Sequence, residues 1–382
     1  MNIRNLDELL EFLEANIDEE HQAKVEKLHL DALAYRDIPY VPLTTVFTPE
    51  GITPYPYVEA FHEPEKMLFN ELIKTVGGVG TLSSVMAKDH CPLHVRSNHG
   101  IGIIASLFGA NCRIVNDNLP WVDEMSVEQV EKAVSHGLPD LNTALPARVY
   151  ENHEFFLEKL KQYPKCYRNI HITQPDLQGP FDVAHILLGQ EVYYMVYEDP
   201  ELLHELLELI TDTCIQYLAS MEPYVTDKAG KDAIYIHGGI YSGHTLVKDD
   251  CAIQNLSESM YEEFSGVYNK RLLEAVGGGS IHYCGKSRDW HFPQLEKTGM
   301  LSINYGNPEL LDAKYVKEYW EARKIPNIFW GDGLRLERQR DFDYVQQMKD
   351  LDIKTGLTLV ARYDNLEEAK DALRRHTGGV EL

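Results

Sequence analysis

The sequence predicts an α/β chain, a single closed barrel of βα units behind an N-terminal helical arm. Three observations carry this. Between Asp232 and Phe292, two short apolar runs, Ala233–Ile236 and the one holding Ile281, each reach a histidine beside a glycine turn, with the helical stretch Leu256–Val276 between them. Strand, helix, strand with polar residues at the strand ends is the repeating unit of a parallel α/β sheet. The same grammar, a short apolar run ending in polar residues and glycine, returns at Met300–Gly306, at Asn327–Gly333 and around Lys354–Val360. Finally, no linker-like segment divides residues 150–382, so one barrel fits better than two domains.

Taken in order, Leu6–Leu33 reads as one helix, with Leu6, Leu9, Leu10, Leu13 and Ile17 on a single stripe and acids opposite. The proline-rich stretch Ile38–Tyr57 cannot continue it and reads as an arm or lid, which assigns residues 1–60 to the arm and 61–382 to the barrel. Gly77-Gly78-Val79-Gly80 lacks the Gly-Lys-Ser/Thr of a phosphate loop and follows no clear strand. His94-Val-Arg-Ser-Asn-His99 leads a polar loop into an apolar run, and Thr173–Phe181 is another strand-like run with polar residues at its end. A helix follows over Val183–Leu188, and Pro200 opens the next, Glu201–Met221. Leu256, Met260, Phe264, Tyr268, Leu272 and Val276, spaced four apart, mark a later helix, and Leu366–Arg375 is the last.

The 382 residues, 44% of them hydrophobic, suffice for one large core. Lys plus Arg is 36 against 60 for Asp plus Glu, a net charge of −24 that disfavours nucleic acid and anionic membranes as partners. No run approaches the ~18 apolar residues of a membrane span, and the N-terminus shows no signal-peptide pattern, so a cytoplasmic location is expected. The six cysteines are scattered, which argues against a disulfide framework. Cys284 alone has a neighbour that suggests chemistry, His282 two residues before it.

Ligands of parallel α/β sheets bind at the carboxyl ends of the strands, so His237, Asp249, Asp250, Cys251, His282 and Cys284 are expected to gather at one mouth. Residues two apart in a strand share a face, which turns His282 and Cys284 inward and Tyr283 away. A thiolate and an imidazole suit Zn²⁺, but two ligands make a weak site. Cys251, then His237, are favoured to complete it, with Asp250 and Asp332 as further candidates. Spacing alone favours a packed, hydrogen-bonded His and Cys over a metal site. Asp249 and Asp250 are the candidate acid–base or substrate-orienting pair, and a turn or helix-cap role is the alternative. Arg96, Asn98, Gln178, Tyr305 and Asp332 are the candidate substrate contacts; the planar fork of Arg96 suits a carboxylate or phosphate, with a surface ion pair as its alternative.

His99-Gly-Ile-Gly-Ile-Ile-Ala-Ser-Leu-Phe-Gly109, the Gln178-Gly-Pro-Phe-Asp182 turn, Asp249-Asp250 with Leu256-Ser-Glu-Ser-Met-Tyr-Glu-Glu-Phe264, and Gly278-Gly-Ser-Ile-His-Tyr-Cys-Gly285 resemble the uroporphyrinogen decarboxylase superfamily, from about Pro92 onward. That resemblance implies a (β/α)8 TIM barrel with the active site in its mouth. It implies one of two activities, porphyrinogen decarboxylation or zinc-dependent methyl transfer with a corrinoid protein. The decarboxylases' Arg-Gln-Ala-Gly-Arg loop is missing here, and His282-Tyr283-Cys284 matches the methyltransferases' His-x-Cys zinc motif. No cysteine follows Cys284, and Thr355-Gly356 stand where the second zinc cysteine is expected. The resemblance therefore implies first a methyltransferase, with zinc, a small methyl donor or acceptor and a partner that carries cobalamin, the oligomeric state being open. A decarboxylase of uroporphyrinogen or a smaller carboxylate is the alternative, and a non-catalytic barrel the third reading.

Overall fold

The computed structural model describes residues 3–73, 79–226, 232–330, 344–380 and 382. Its strands are β1 (Leu43–Val46), β2 (His94–Val95), β3 (Cys112–Arg113), β4 (Trp121–Val122), β5 (His171–Ile172), β6 (Ala233–Ile236), β7 (Gly239–Ser242), β8 (Leu246–Lys248), β9 (Ser280–Tyr283), β10 (Ile303–Tyr305), β11 (Asn327–Trp330) and β12 (Leu357–Arg362). A six-stranded parallel sheet runs β1-β12-β11-β10-β9-β8, and β2 pairs in parallel with β5. The parallel bridge Gln178↔Lys248 and the bond from Lys248 N to Leu177 O, 3.0 Å, join the β5 side to β8. At the other seam Leu43 N donates to His90 Nδ1, 3.1 Å, and His90 N returns to Leu43 O, 3.2 Å. The eight strands β1, β2, β5, β8, β9, β10, β11 and β12 thus follow one another around a TIM barrel with helices outside.

The helices close the outer layer. Leu203, Leu206, Leu207, Ile210 and Cys214 bury one face of the helix Pro200–Met221, which Pro200 opens and the Asp199 side chain caps. The Leu256–Val276 stretch is helical as expected, with a π turn at Glu262–Gly266. A stripe spaced by four drifts about 40° per step on a 3.6-residue helix, and a wider turn takes up part of that drift.

Three sequence expectations change. The first helix is two, Leu6–Asn16 and Glu19–Leu33, because the Asp18 side chain accepts from His21 N and starts a new helix. The arm ends short of residue 60: β1 lies inside the proline-rich stretch, fully buried and paired with β12. Its Thr44 and Thr45 break the apolar signature, and Asp89 binds Thr45 through both its N–H and its hydroxyl.

The third change concerns Ala233–Ile236. It is a strand, but it folds back antiparallel on β7 as a hairpin and is not a barrel stave; β8 is the stave before the helix. Ile234, Ile236 and Tyr241 of the hairpin pack with Val46, Leu246, Ile328 and Val360 of four staves, so the hairpin fills the barrel interior. Its two-residue turn, His237-Gly238, has φ of 48° and 79°, the signs of a type I′ turn whose twist suits a hairpin.

Candidate metal centre at the barrel mouth

β9 places the central pair. His282 and Cys284 lie two apart at its carboxyl end, with Cys284 Sγ 3.3 Å from His282 Nε2. Tyr283 turns the other way, into the layer between barrel and helices, where its hydroxyl meets Ser287. β10 pairs with β9 so that Asn304 stands beside His282. Asn304 Oδ1 is 2.5 Å from His282 Nδ1, and Asn304 Nδ2 donates to Ile328 O at 2.8 Å. With its amide nitrogen committed to that carbonyl, Asn304 offers His282 an acceptor. This puts the ring proton on Nδ1 and leaves the Nε2 lone pair facing Cys284.

The third group is Asp250. Its Oδ1 lies 3.8 Å from His282 Nε2 and accepts from Cys284 N at 2.6 Å. Among the described residues, Asp250, His282 and Cys284 form the one cluster whose ligand atoms all fall within 4.8 Å of one another. Asp250 is set there by Asp182, whose carboxylate receives the N–H groups of Asp250 (2.6 Å), Cys251 (3.0 Å) and Ala252 (3.1 Å) at the start of the helix Asp250–Asn255.

The donor set is one thiol, one imidazole and one carboxylate, the ligand types of zinc. Two details of the chain suit an ion here. The Asn304 bond fixes the imidazole as a metal-binding tautomer. Gly306 leaves room, since a β-carbon on it would stand 2.3 Å from Cys284 Sγ and 3.1 Å from His282 Cε1. Three protein ligands and space beside them is the pattern of a catalytic rather than a structural site.

Cys251 and His237, favoured from the sequence to complete the site, are not part of this cluster. Cys251 is one residue further round the helix, among Tyr193 and Asp182. His237 comes to the mouth from inside the barrel on its hairpin turn, not from the end of a stave, and its Nε2 accepts from Arg96 Nη1 at 3.3 Å. Burial, with Arg96 and Lys248 close by, holds its imidazole far below the ordinary histidine range. Thr355 and Gly356 precede β12 and bond to Ala32 O at the opposite end of the barrel, so that position has no access to the centre.

Asp249 is not a mouth residue. It is fully buried in the wall, where Tyr261 Oη (2.6 Å), Ser265 Oγ (3.1 Å) and Asn269 Nδ2 (3.0 Å) donate to it, and burial pushes its carboxyl up to about 6. Tyr305 also leaves the substrate list. Like Tyr283 it faces outward, its hydroxyl accepting from Trp320 Nε1 at 2.5 Å. Asp332 lies outside the described residues, as do Gly77 and Gly78.

The remaining candidates form the floor of the mouth. Arg96 is buried, not a surface residue, and its Nη1 stands 3.8 Å from Asp176 Oδ2. Asp176 is gripped by Lys248 Nζ through Oδ2 and by Gln178 Nε2 through Oδ1. Burial raises an aspartate's pKa, but Lys248 and Arg96 together outweigh it here and hold Asp176 below the usual carboxylate range. Lys248 pairs in register with His282, which brings this network beside the metal cluster. Asn98 Nδ2 donates to Glu71 Oε1 at 2.9 Å, and Tyr57 Oη donates to Asn98 O at 2.6 Å. The sequence marks Asn304 as a strand end at the mouth and Asp176 as a polar residue of the Thr173–Phe181 run, without a role for either, and Asp182, Lys248, Gly306 and Glu71 were not singled out. The readable signal was the Asn304-Tyr-Gly306 spacing at the end of an apolar run; the register of Lys248 with His282 appears only in the fold.

A TIM barrel with a polar mouth and a Cys–His–Asp cluster at its strand ends is an enzyme-like architecture, and the comparisons narrow it. The uroporphyrinogen decarboxylase (URO-D) family model matches residues 100–322, more than half of the chain, and the chain belongs to that family. A solved methyltransferase from Methanosarcina mazei is similar in structure, with a TM-score of 0.62 over 93% of this chain and 98% of that one, at 17% identity; at that identity the likeness concerns the fold. No curated protein matches the sequence. No helix among the described residues is long and apolar enough to cross a membrane.

Proposed function

We propose that the chain is a metal-dependent methyltransferase that moves a methyl group between a small methylated compound and a corrinoid protein carrying cobalamin. The observation that carries this reading is the Asp250–His282–Cys284 cluster, with Asn304 behind the imidazole and space at Gly306. The methyltransferase fold of the structural relative supports it. Zinc held by these three side chains would supply a Lewis acid for the oxygen or nitrogen that bears the methyl group.

The chain's own residues prepare the site. Asn304 orients His282, and Asp182 fixes the helix start that presents Asp250. The hairpin packs the barrel below the mouth with Ile234, Ile236 and Tyr241, which excludes water from beneath. Asn98 and Gln178, tied to Glu71 and Asp176, offer fixed hydrogen-bonding groups at the floor of the mouth. A decarboxylase of an eight-carboxylate porphyrinogen is served less well. Arg96 and Lys248 are the cations of the described floor, and Asp176 already engages both.

The test is elemental analysis of purified chain together with transfer of methyl groups from methyl ethers and methylamines to reduced cobalamin, followed by absorbance. About one zinc per chain and formation of methylcobalamin are expected, and Cys284→Ala should lose both while keeping its circular dichroism spectrum. Carbon dioxide release from uroporphyrinogen without bound metal or methyl transfer would replace this reading with the decarboxylase one.

A further inference from the structure

A cavity of about 860 Å³ opens on the flank of the barrel, away from the mouth. It lies among the helices Leu6–Asn16, Glu19–Leu33, Thr81–Ala87 and Leu366–Thr377, and none of its lining residues belongs to the metal cluster or to the floor of the mouth. Cavities of roughly 300–1,000 Å³ are of the size that holds small-molecule ligands.

Much of its wall is apolar, from Phe12, Val85, Met86, Leu366 and Leu373. Two buried polar side chains line it as well, Tyr40 at 8% exposure and His90 at 2%. Their rings stack, with centroids 5.1 Å apart and planes 11° from parallel. Tyr40 Oη has no hydrogen-bond partner among the described residues. His90 Nδ1 accepts the N–H of Leu43 at 3.1 Å, which puts the ring proton on Nε2. That N–H also has no partner among the described residues. Burial, with His29, His376 and His21 around it, holds the imidazole far below the ordinary histidine range, so the ring is a neutral donor. An unpaired buried hydroxyl destabilises a fold, and phenylalanine would fill the same space without that penalty. The hydroxyl therefore points to a partner from outside the chain.

Charge does not define that partner. Lys24 is paired with Glu20 at 2.8 Å, Lys88 with Asp18 at 3.1 Å and Arg374 with Asp371 at 2.6 Å. Lys370 makes no ion pair among the described residues, but Glu367 stands one turn before it on the same helix. What the cavity offers beyond paired charges is two neutral donors beside apolar walls. Their complement is an acceptor oxygen on an apolar body.

We infer that this flank cavity binds a small uncharged molecule, apolar for most of its length, whose carbonyl oxygen accepts from Tyr40 Oη and His90 Nε2. The site is independent of the reaction at the mouth.

The probes are matched pairs that differ by one carbonyl: 4-phenyl-2-butanone with butylbenzene, and 2-acetylnaphthalene with 2-ethylnaphthalene. Binding to the full chain is measured by ligand-observed NMR, with 2-naphthoate as the charged comparison. Tyr40→Phe removes a hydroxyl that nothing in the fold engages, so the variant should melt at or above the parent. It should weaken both ketones roughly 5- to 10-fold, the size of one neutral hydrogen bond, and leave both hydrocarbons unchanged. Leu373→Trp, which fills the cavity from its wall, should weaken all four. Absence of ketone binding to the parent overturns the inference. So does a Tyr40→Phe variant that binds the ketones as the parent does, or that weakens ketones and hydrocarbons alike. A melting temperature several degrees below the parent overturns it too, because the hydroxyl would then have a partner within the fold. Unchanged affinities in folded Leu373→Trp would put the probes elsewhere on the chain and overturn the site; if that variant does not fold, the Tyr40→Phe comparison decides alone. Tighter binding of 2-naphthoate than of 2-acetylnaphthalene, lost in Lys370→Gln, overturns the uncharged class.

Discussion

Gly306 shows how a residue without a side chain can define a site. A β-carbon there would press within 2.3 Å of Cys284 Sγ, and Gly306 lacks the positive φ that would make another residue strained by backbone alone. Gly306→Ala should therefore fold, with Cys284 pushed off the face it shares with His282. The expected result is at least a 10-fold loss of zinc affinity, comparable to losing a residue that orients a ligand, with a melting temperature within a few degrees of the parent. Competition with a chromogenic chelator measures the first and thermal denaturation the second; unchanged affinity would show that the open side of the cluster is elsewhere. At this scale the sequence was partly legible. The two-residue period of β9 predicts that His282 and Cys284 share a face, and Gly285 marks the strand's end. Asp250 as third member was harder to read, because its place depends on Asp182, 68 residues away, capping the helix start.

At the scale of elements, the hairpin β6–β7 is the part that the sequence concealed. Its apolar run has the length and composition of a stave, and periodicity cannot tell a barrel strand from a strand inside a barrel. The dipeptide His237-Gly238 was the available sign, since a tight turn follows when both residues adopt positive φ. β1 was hidden for a different reason: prolines flank it and its threonines hydrogen-bond to Gly238 and Asp89, so it lacks an apolar signature. The staves β9, β10, β11 and β12 were legible because each is a short apolar run stopped by polar residues at the mouth. Gly238 bears the hairpin's close approach, its missing β-carbon lying 3.0 Å from Thr44 Cγ2 and 3.1 Å from Val79 Cγ2, at φ 79°. Gly238→Ala should cost about 1–2 kcal/mol from the left-handed backbone alone, and more where Thr44 cannot give way. Urea denaturation would measure it, and a variant as stable as the parent would show that the turn relaxes into another type.

Over the whole molecule, two sets of buried titratable groups oppose each other between pH 4 and 7. Burial holds His29 and His94 down at about 4, and His99 and His153 at about 3. Each stabilises the fold fully above the ordinary histidine pKa near 6.5, and that contribution is lost as pH falls toward the folded value. Glu71 and Asp249 act in the other direction, raised by burial to about 7 and about 6. Their stabilising contribution is complete below the ordinary carboxylate range and is lost as pH rises through those values. The two sets offset, so the parent should show a flatter stability profile over this interval than either set alone would give. Glu71→Gln isolates one member. Glutamine can still accept from Asn98 Nδ2, so the Glu71–Asn98 bond has a replacement. The variant should match the parent near pH 4.5 and gain on it as pH rises, reaching about 3 kcal/mol above pH 7.5, from a carboxyl that titrates near 7 instead of 4.5. Its own profile should then lean more steeply toward acid loss, because the histidines are less fully opposed. Thermal melts of both proteins at half-unit intervals from pH 4.5 to 8 would check this. A constant difference across that range would mean that Glu71 is ionised throughout, held so by the nearby Arg96.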